Sequence, residues 1–88
     1  MTDSLTLRQH LLLAVRSYWA TEGRPPMVAE IAGMLLRNGV YSDAKQVYRD
    51  ISRHRRAGFL WPPVGHGGPK WDGYGLRVTP LGRELIDP

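Results

Sequence analysis

Between Lys45 and Arg56 the sequence places five Lys or Arg side chains and one acid, Asp50. Nearly half of the chain's twelve Lys and Arg residues therefore fall on one short stretch. Lys45, Arg49 and Arg53 recur every four residues, a spacing that lines them along one face of a helix. Ala44, Val47, Ile51 and Tyr48 are expected on the inner face, where they can anchor that helix in a core. An Arg guanidinium can bond a guanine edge with two hydrogen bonds, and a Gln such as Gln46 can do the same with adenine. Lys and Arg also neutralise phosphate, which releases counterions and makes binding weaken steeply with salt. These residue types at this spacing point to contact with double-stranded DNA. The candidate contacts are Ser42, Lys45, Gln46, Arg49, Arg53 and Arg56, joined by Lys70 from a later loop. Lys45, Gln46 and Arg49 are expected to face the groove, and Arg53 and Lys70 to meet phosphate.

Other chemistries find less support. The chain has no Cys, which excludes disulfides, thiolate metal sites and a Cys nucleophile. His10, His54 and His66 are dispersed and show no metal-ligand spacing. Ser42 or Ser52 with Asp50 and His54 holds the residue types of a catalytic triad, but near neighbours on one helix do not converge. The Gly65-x-Gly67-Gly68 stretch lacks the Lys-Ser/Thr and the following helix of a phosphate loop. No enzymatic activity, cofactor or metal is expected.

Eighty-eight residues suit a single domain over the whole of 1–88. Its net charge of +4 and isoelectric point near 10.0 fit a polyanionic partner. No apolar run is long enough to span a bilayer, so no membrane partner is expected. The residues before the first apolar stretch carry no basic cluster, so no secretory leader is expected. The expected location is the cytoplasm, in association with the nucleoid.

Several elements must position the basic stretch. Thr6 with Gln9 three residues later forms a capping-box pattern opening a helix over 6–21. Leu11, Leu12, Val15, Tyr18 and Trp19 give that helix one apolar stripe. Gly23, Pro25 and Pro26 stop it. A second, shorter helix over 27–36 buries Val28, Ile31, Ala32 and Leu35, with Glu30 pointing outward. Asn38 and Gly39 signal a turn. The basic helix then runs over 43–57, capped by Ser42 and ended by Gly58, with His54, Arg55 and Arg56 complementing its dipole. Phe59 to Trp61 and Leu76 to Val78 read as two strands of a hairpin around a glycine-rich loop that carries His66, Lys70 and Trp71. Trp71 is expected to fold onto the core. Thr79 caps a last short helix, with Pro80 at its first position, running to about Ile86.

Three helices, a hairpin and a short helix make an α+β, mainly helical chain with the order of a winged helix. In that arrangement the second and third helices form a helix-turn-helix and the third enters the major groove. The wing would be residues 62–75.

The first sixty residues resemble the N-terminal DNA-binding domain of LexA-type repressors. The likeness rests on Leu5-Thr6-x-Arg8-Gln9, on Gly23-Arg24-Pro25-Pro26 followed by Glu30-Ile31-Ala32, and on Gly58-Phe59-Leu60. The stretch from Val78 to Leu85 is similar instead to the closing helix of MarR-like and PadR-like regulators. The resemblance implies a bacterial or phage regulator of transcription, of repressor type. A homodimer fits either reading of its function. The self-cleaving Ser–Lys domain of LexA-type repressors has no counterpart in these 88 residues, so neither autoproteolysis nor its dimer interface is implied. Where that family's reading helix often opens Ser-x-Asn-Ala, this chain has Asp43, Ala44, Lys45 and Gln46, so no operator sequence carries over. Small winged helices can also bind proteins through the same faces. The competing expectation is a protein-interaction winged helix, for example a phage-encoded inhibitor or adaptor of RNA polymerase or another protein.

Overall fold

A computed structural model of the chain describes residues 5–63 and 75–87. Its elements are α1 (Leu7–Glu22), α2 (Val28–Arg37), α3 (Ala44–Ala57), β1 (Leu60–Trp61), β2 (Arg77–Val78) and α4 (Pro80–Arg83). The architecture is mainly helical, with one two-stranded antiparallel sheet that pairs Leu60 with Val78 and Trp61 with Arg77.

Local chemistry starts and stops each helix. Thr6 Oγ1 accepts from the Gln9 amide at 3.1 Å, and Gln9 Oε1 accepts from the Thr6 amide at 3.0 Å. The capping box thus satisfies two amides that the first turn of α1 would otherwise leave unpaired. At the start of α2, Glu30 Oε1 accepts from the Met27 amide at 2.8 Å. Asp43 caps α3, its Oδ1 accepting from the Lys45 amide at 3.0 Å. Past Gly58, the Phe59 amide donates back to the His54 carbonyl at 2.9 Å and seals the last turn of α3. Thr79 opens α4: its Oγ1 accepts from the Gly82 amide at 3.0 Å and donates to the Gly58 carbonyl at 2.5 Å. One hydroxyl therefore joins the end of α3 to the start of α4.

The core follows the stripes. Leu11, Leu12 and Val15 of α1 meet Ile31, Ala32 and Leu35 of α2, and Val47 and Ile51 of α3. Tyr41, Leu60 and Leu76 close it. Each large aliphatic side chain removed from water here contributes about 1.5–3 kcal/mol. The Tyr41 hydroxyl donates to Asp50 Oδ2 at 2.9 Å, and burial, reinforced by that carboxylate, raises its pKa above the usual phenol range.

Two contacts seat the sheet on the helices. The Leu76 amide donates to the Pro26 carbonyl at 2.7 Å, so the return strand is tied to the connector between α1 and α2. Gly75 lies directly on Pro25. The same connector carries a charged clamp. Arg24 grips both oxygens of Glu30, at 2.9 and 2.6 Å, and the Tyr18 hydroxyl donates to Glu30 Oε2 at 2.7 Å. Arg24, followed by the Met27 amide and Tyr18, holds the Glu30 carboxyl well below the usual carboxylate range.

Several details differ from the sequence reading. Asp43 caps α3 in place of Ser42, because its carboxylate reaches the Lys45 amide and the helix begins one residue later than Ser42 would set it. Ala44 and Tyr48 are exposed, since the core packs on α3 only from Val47 onward and Tyr48 lies on the outer flank. Trp19 stays 42% exposed at the end of the α1 stripe, where Arg77 covers it in place of core side chains. Glu30 is half-buried against Arg24, Tyr18 and Met27 instead of pointing to water. The helical part of the tail ends at Arg83, and turns follow to Ile86. Trp71, expected on the core, lies outside the described residues.

Candidate nucleic-acid interface

The outer face of α3 is set by the helical repeat. At about 100° per residue, Lys45, Arg49, Arg53 and Arg56 fall within an arc of about 80°. All four are exposed. On the other side of the same helix Val47 and Ile51 are at most 1% exposed. The basic arc is therefore held outward by a packed inner face. Gln46, at its edge, is half-buried, and Ser42 is exposed just ahead of the cap. The structure brings Lys45, Arg49, Arg53 and Arg56 together. Lys70 lies outside the described residues, as do His66 and the rest of 64–74.

The single acid of the stretch lies at the edge of the arc. Asp50 is half-buried, takes the Tyr41 hydroxyl on one oxygen, and stands 3.8 Å from Arg53 Nη1 with the other. Asp43 spends its carboxylate on its own helix terminus. With four exposed cations against Asp50, the face keeps a positive balance.

Two basic side chains expected at the helix end turn inward. Arg55 is 8% exposed, and its Nε and Nη2 donate to the Pro62 and Pro63 carbonyls at 2.7 and 3.2 Å. It fixes where the chain leaves β1 relative to α3. His54 is 6% exposed. Its Nδ1 lies 2.6 Å from the Asp50 carbonyl, which can only accept, so Nδ1 carries the proton. The bare Nε2 is buried with no hydrogen-bond partner among the described residues. Sequence spacing could have flagged both, since they follow Ile51 at the three- and four-residue offsets of a buried face. Their charge obscured it.

His54 makes stability depend on pH. Burial, with the Arg8 charge added, lowers its pKa from 6.5 against the opposing pull of Asp50. The unfolded chain then binds the proton first as pH falls, so this contribution is complete above about pH 6.5 and is lost as pH falls through the folded pKa. Denaturant titrations at about pH 7.5 and about pH 5.5 should show lower stability at the acid value, with a smaller difference for His54→Gln. Equal pH dependence in both proteins would remove His54 as the cause.

Tyr48, 45% exposed beside the basic arc, was not foreseen at this face. Among the described residues no helix is long and apolar enough to cross a membrane, and no three His, Asp or Glu side chains are placed to share a metal ion. No protein-family model, curated protein or solved structure matches the chain.

Proposed function

We propose that the chain is a winged-helix domain that binds double-stranded DNA as a regulator of transcription, with α3 in the major groove. The observation that carries this reading is the exposed arc of Lys45, Arg49, Arg53 and Arg56 on a helix whose opposite face is locked in the core. A major groove about 12 Å wide admits one helix presented in this way. Two further contacts support it. The Leu76–Pro26 bond seats the strand pair on the α1–α2 connector, and Arg55 orients the chain as it leaves β1. The LexA-like and MarR-like stretches of sequence belong to the same proposal.

Arg49, with Gln46 at its side, reads base edges. Lys45, Arg53 and Arg56 hold phosphates. Selecting bound duplexes from random DNA gives the site, and shift assays across a salt series test the contacts. Lys45→Ala should lower the slope of log affinity against log salt by about one, as loss of one phosphate contact does. Arg49→Ala should cost about 1–3 kcal/mol and relax sequence preference at one position. Unchanged affinity and slope in the double variant Lys45→Ala/Arg49→Ala, or recovery of a protein partner after nuclease treatment with no duplex retained, would overturn the reading.

A further inference from the structure

A second group of cations lies on elements other than α3. α1, β2 and α4 enclose a groove of about 390 Å³. Val15 and Val78 line it with Trp19, and three arginines, Arg16, Arg77 and Arg83, supply its charge. The volume falls within the range of about 300–1,000 Å³ usual for small-molecule sites. Its mixture of apolar wall and converging charge is also what such sites use.

The three arginines are not equivalent. Arg16 is paired with Asp87. Arg77 and Arg83 have no acidic partner among the described residues. The Arg77 guanidinium carbon stands 5.2 Å from the Trp19 ring centre and 5.6 Å from that of Trp61. A guanidinium held over ring faces satisfies none of its N–H donors there, so they can fork onto an oxyanion. The same contact also holds the side chain in one place before any ligand arrives, which lowers the entropy cost of binding. Trp19, at 42% exposure, keeps much of its surface open. The groove thus offers a fixed cation, a second cation on α4 and an aromatic wall.

We propose that this groove binds a small aromatic anion. Arg77 and Arg83 hold its carboxylate or phosphate, and its ring lies against Trp19 and the two valines. The proposal does not depend on whether α3 binds DNA, because none of these residues belongs to α2 or α3.

The test uses the full chain with five probes, read by tryptophan fluorescence and by the shift in melting temperature. Benzoate and phenyl phosphate carry both ring and charge. Benzyl alcohol carries the ring alone, and acetate and inorganic phosphate the charge alone. A ring-bearing anion should give saturable binding, and the relative strength of benzoate and phenyl phosphate names the headgroup. Arg83→Gln and Arg77→Gln should each weaken binding by about tenfold or more, the effect of losing one charge-assisted bond. Arg37→Gln, on α2, should leave it unchanged. Arg83 is exposed on α4, so its variant keeps the test decisive if Arg77→Gln disturbs the stacked pair. Benzyl alcohol binding as well as benzoate, acetate or inorganic phosphate binding as well as the ring-bearing anions, or parental affinity in Arg83→Gln would overturn the proposal.

Discussion

Gly82→Ala should lower stability by about 3 kcal/mol, the upper part of the range for overpacking a closed site. In a domain of this size that corresponds to a fall in melting temperature of about 12–24 °C. A Cβ at Gly82 would stand 2.3 Å from the Phe59 carbonyl oxygen and 3.0 Å from Val78 Cγ1. The first contact is with backbone, so no side-chain rotation relieves it. The Phe59 oxygen also accepts from the Thr79 amide at 3.1 Å. Relief requires α4 to lift from the strands, which strains that bond and the Thr79–Gly58 hydroxyl bond with it. Gly33→Ala is the matched control. There the nearest atom is Arg37 Nη1 at 3.2 Å, the end of a flexible side chain, and alanine's better helix propensity should stabilise by about 0.5–1 kcal/mol. Thermal melts of both variants decide the matter; a Gly82→Ala protein that melts with the parent would show that α4 does not sit on Phe59.

Gly75→Ala is expected to cost about 2–4 kcal/mol, from two separable sources. Gly75 has φ of 74°, a conformation that an L side chain resists. Its Cβ would also lie 2.8 Å from Pro25 Cβ and 2.9 Å from the Pro25 oxygen. Gly23→Ala isolates the first source, since Gly23 shares the φ of 74° but has nothing within 4 Å of its Cβ. The difference between the two variants measures the contact with Pro25. Hydrogen exchange adds a local readout: the Leu76 amide, bonded to Pro26, should exchange faster in Gly75→Ala. Equal losses in the two variants would mean that the return strand does not press on the connector.

The helices were largely legible in the sequence because their signals are local. Thr6 with Gln9, Asn38-Gly39, Gly58 and Thr79-Pro80 all act within a few residues of themselves. The inner stripe of α3 was legible for the same reason, since Val47 and Ile51 are one turn apart. What escaped depends on partners beyond the residue's own helix. Glu30 reads as an outward acid until Tyr18 of α1 and Arg24 of the connector close on it. Arg55 reads as a dipole partner until the Pro62 and Pro63 carbonyls fold over it. The groove between α1, β2 and α4 could not be read at all, because Arg16, Arg77 and Arg83 share no spacing and meet only through packing. The choice of cap at α3 was a near tie in chemistry between Ser42 and Asp43, settled by which side chain reaches the Lys45 amide.

The bond from Leu76 to Pro26 also bears on the expected order of assembly. The three helices find one another through short connections, and such contacts form early at small entropy cost. The return strand instead fastens to a turn made long before it in the chain. Closing a longer loop costs only about 0.6 kcal/mol for each doubling of length, but the closure must wait for both ends to exist. The helical bundle should therefore form first in a refolding experiment, with the strand pair and α4 protected later. In reverse, the same seam is where the fold should part first, with the tail leaving the connector while the bundle still holds.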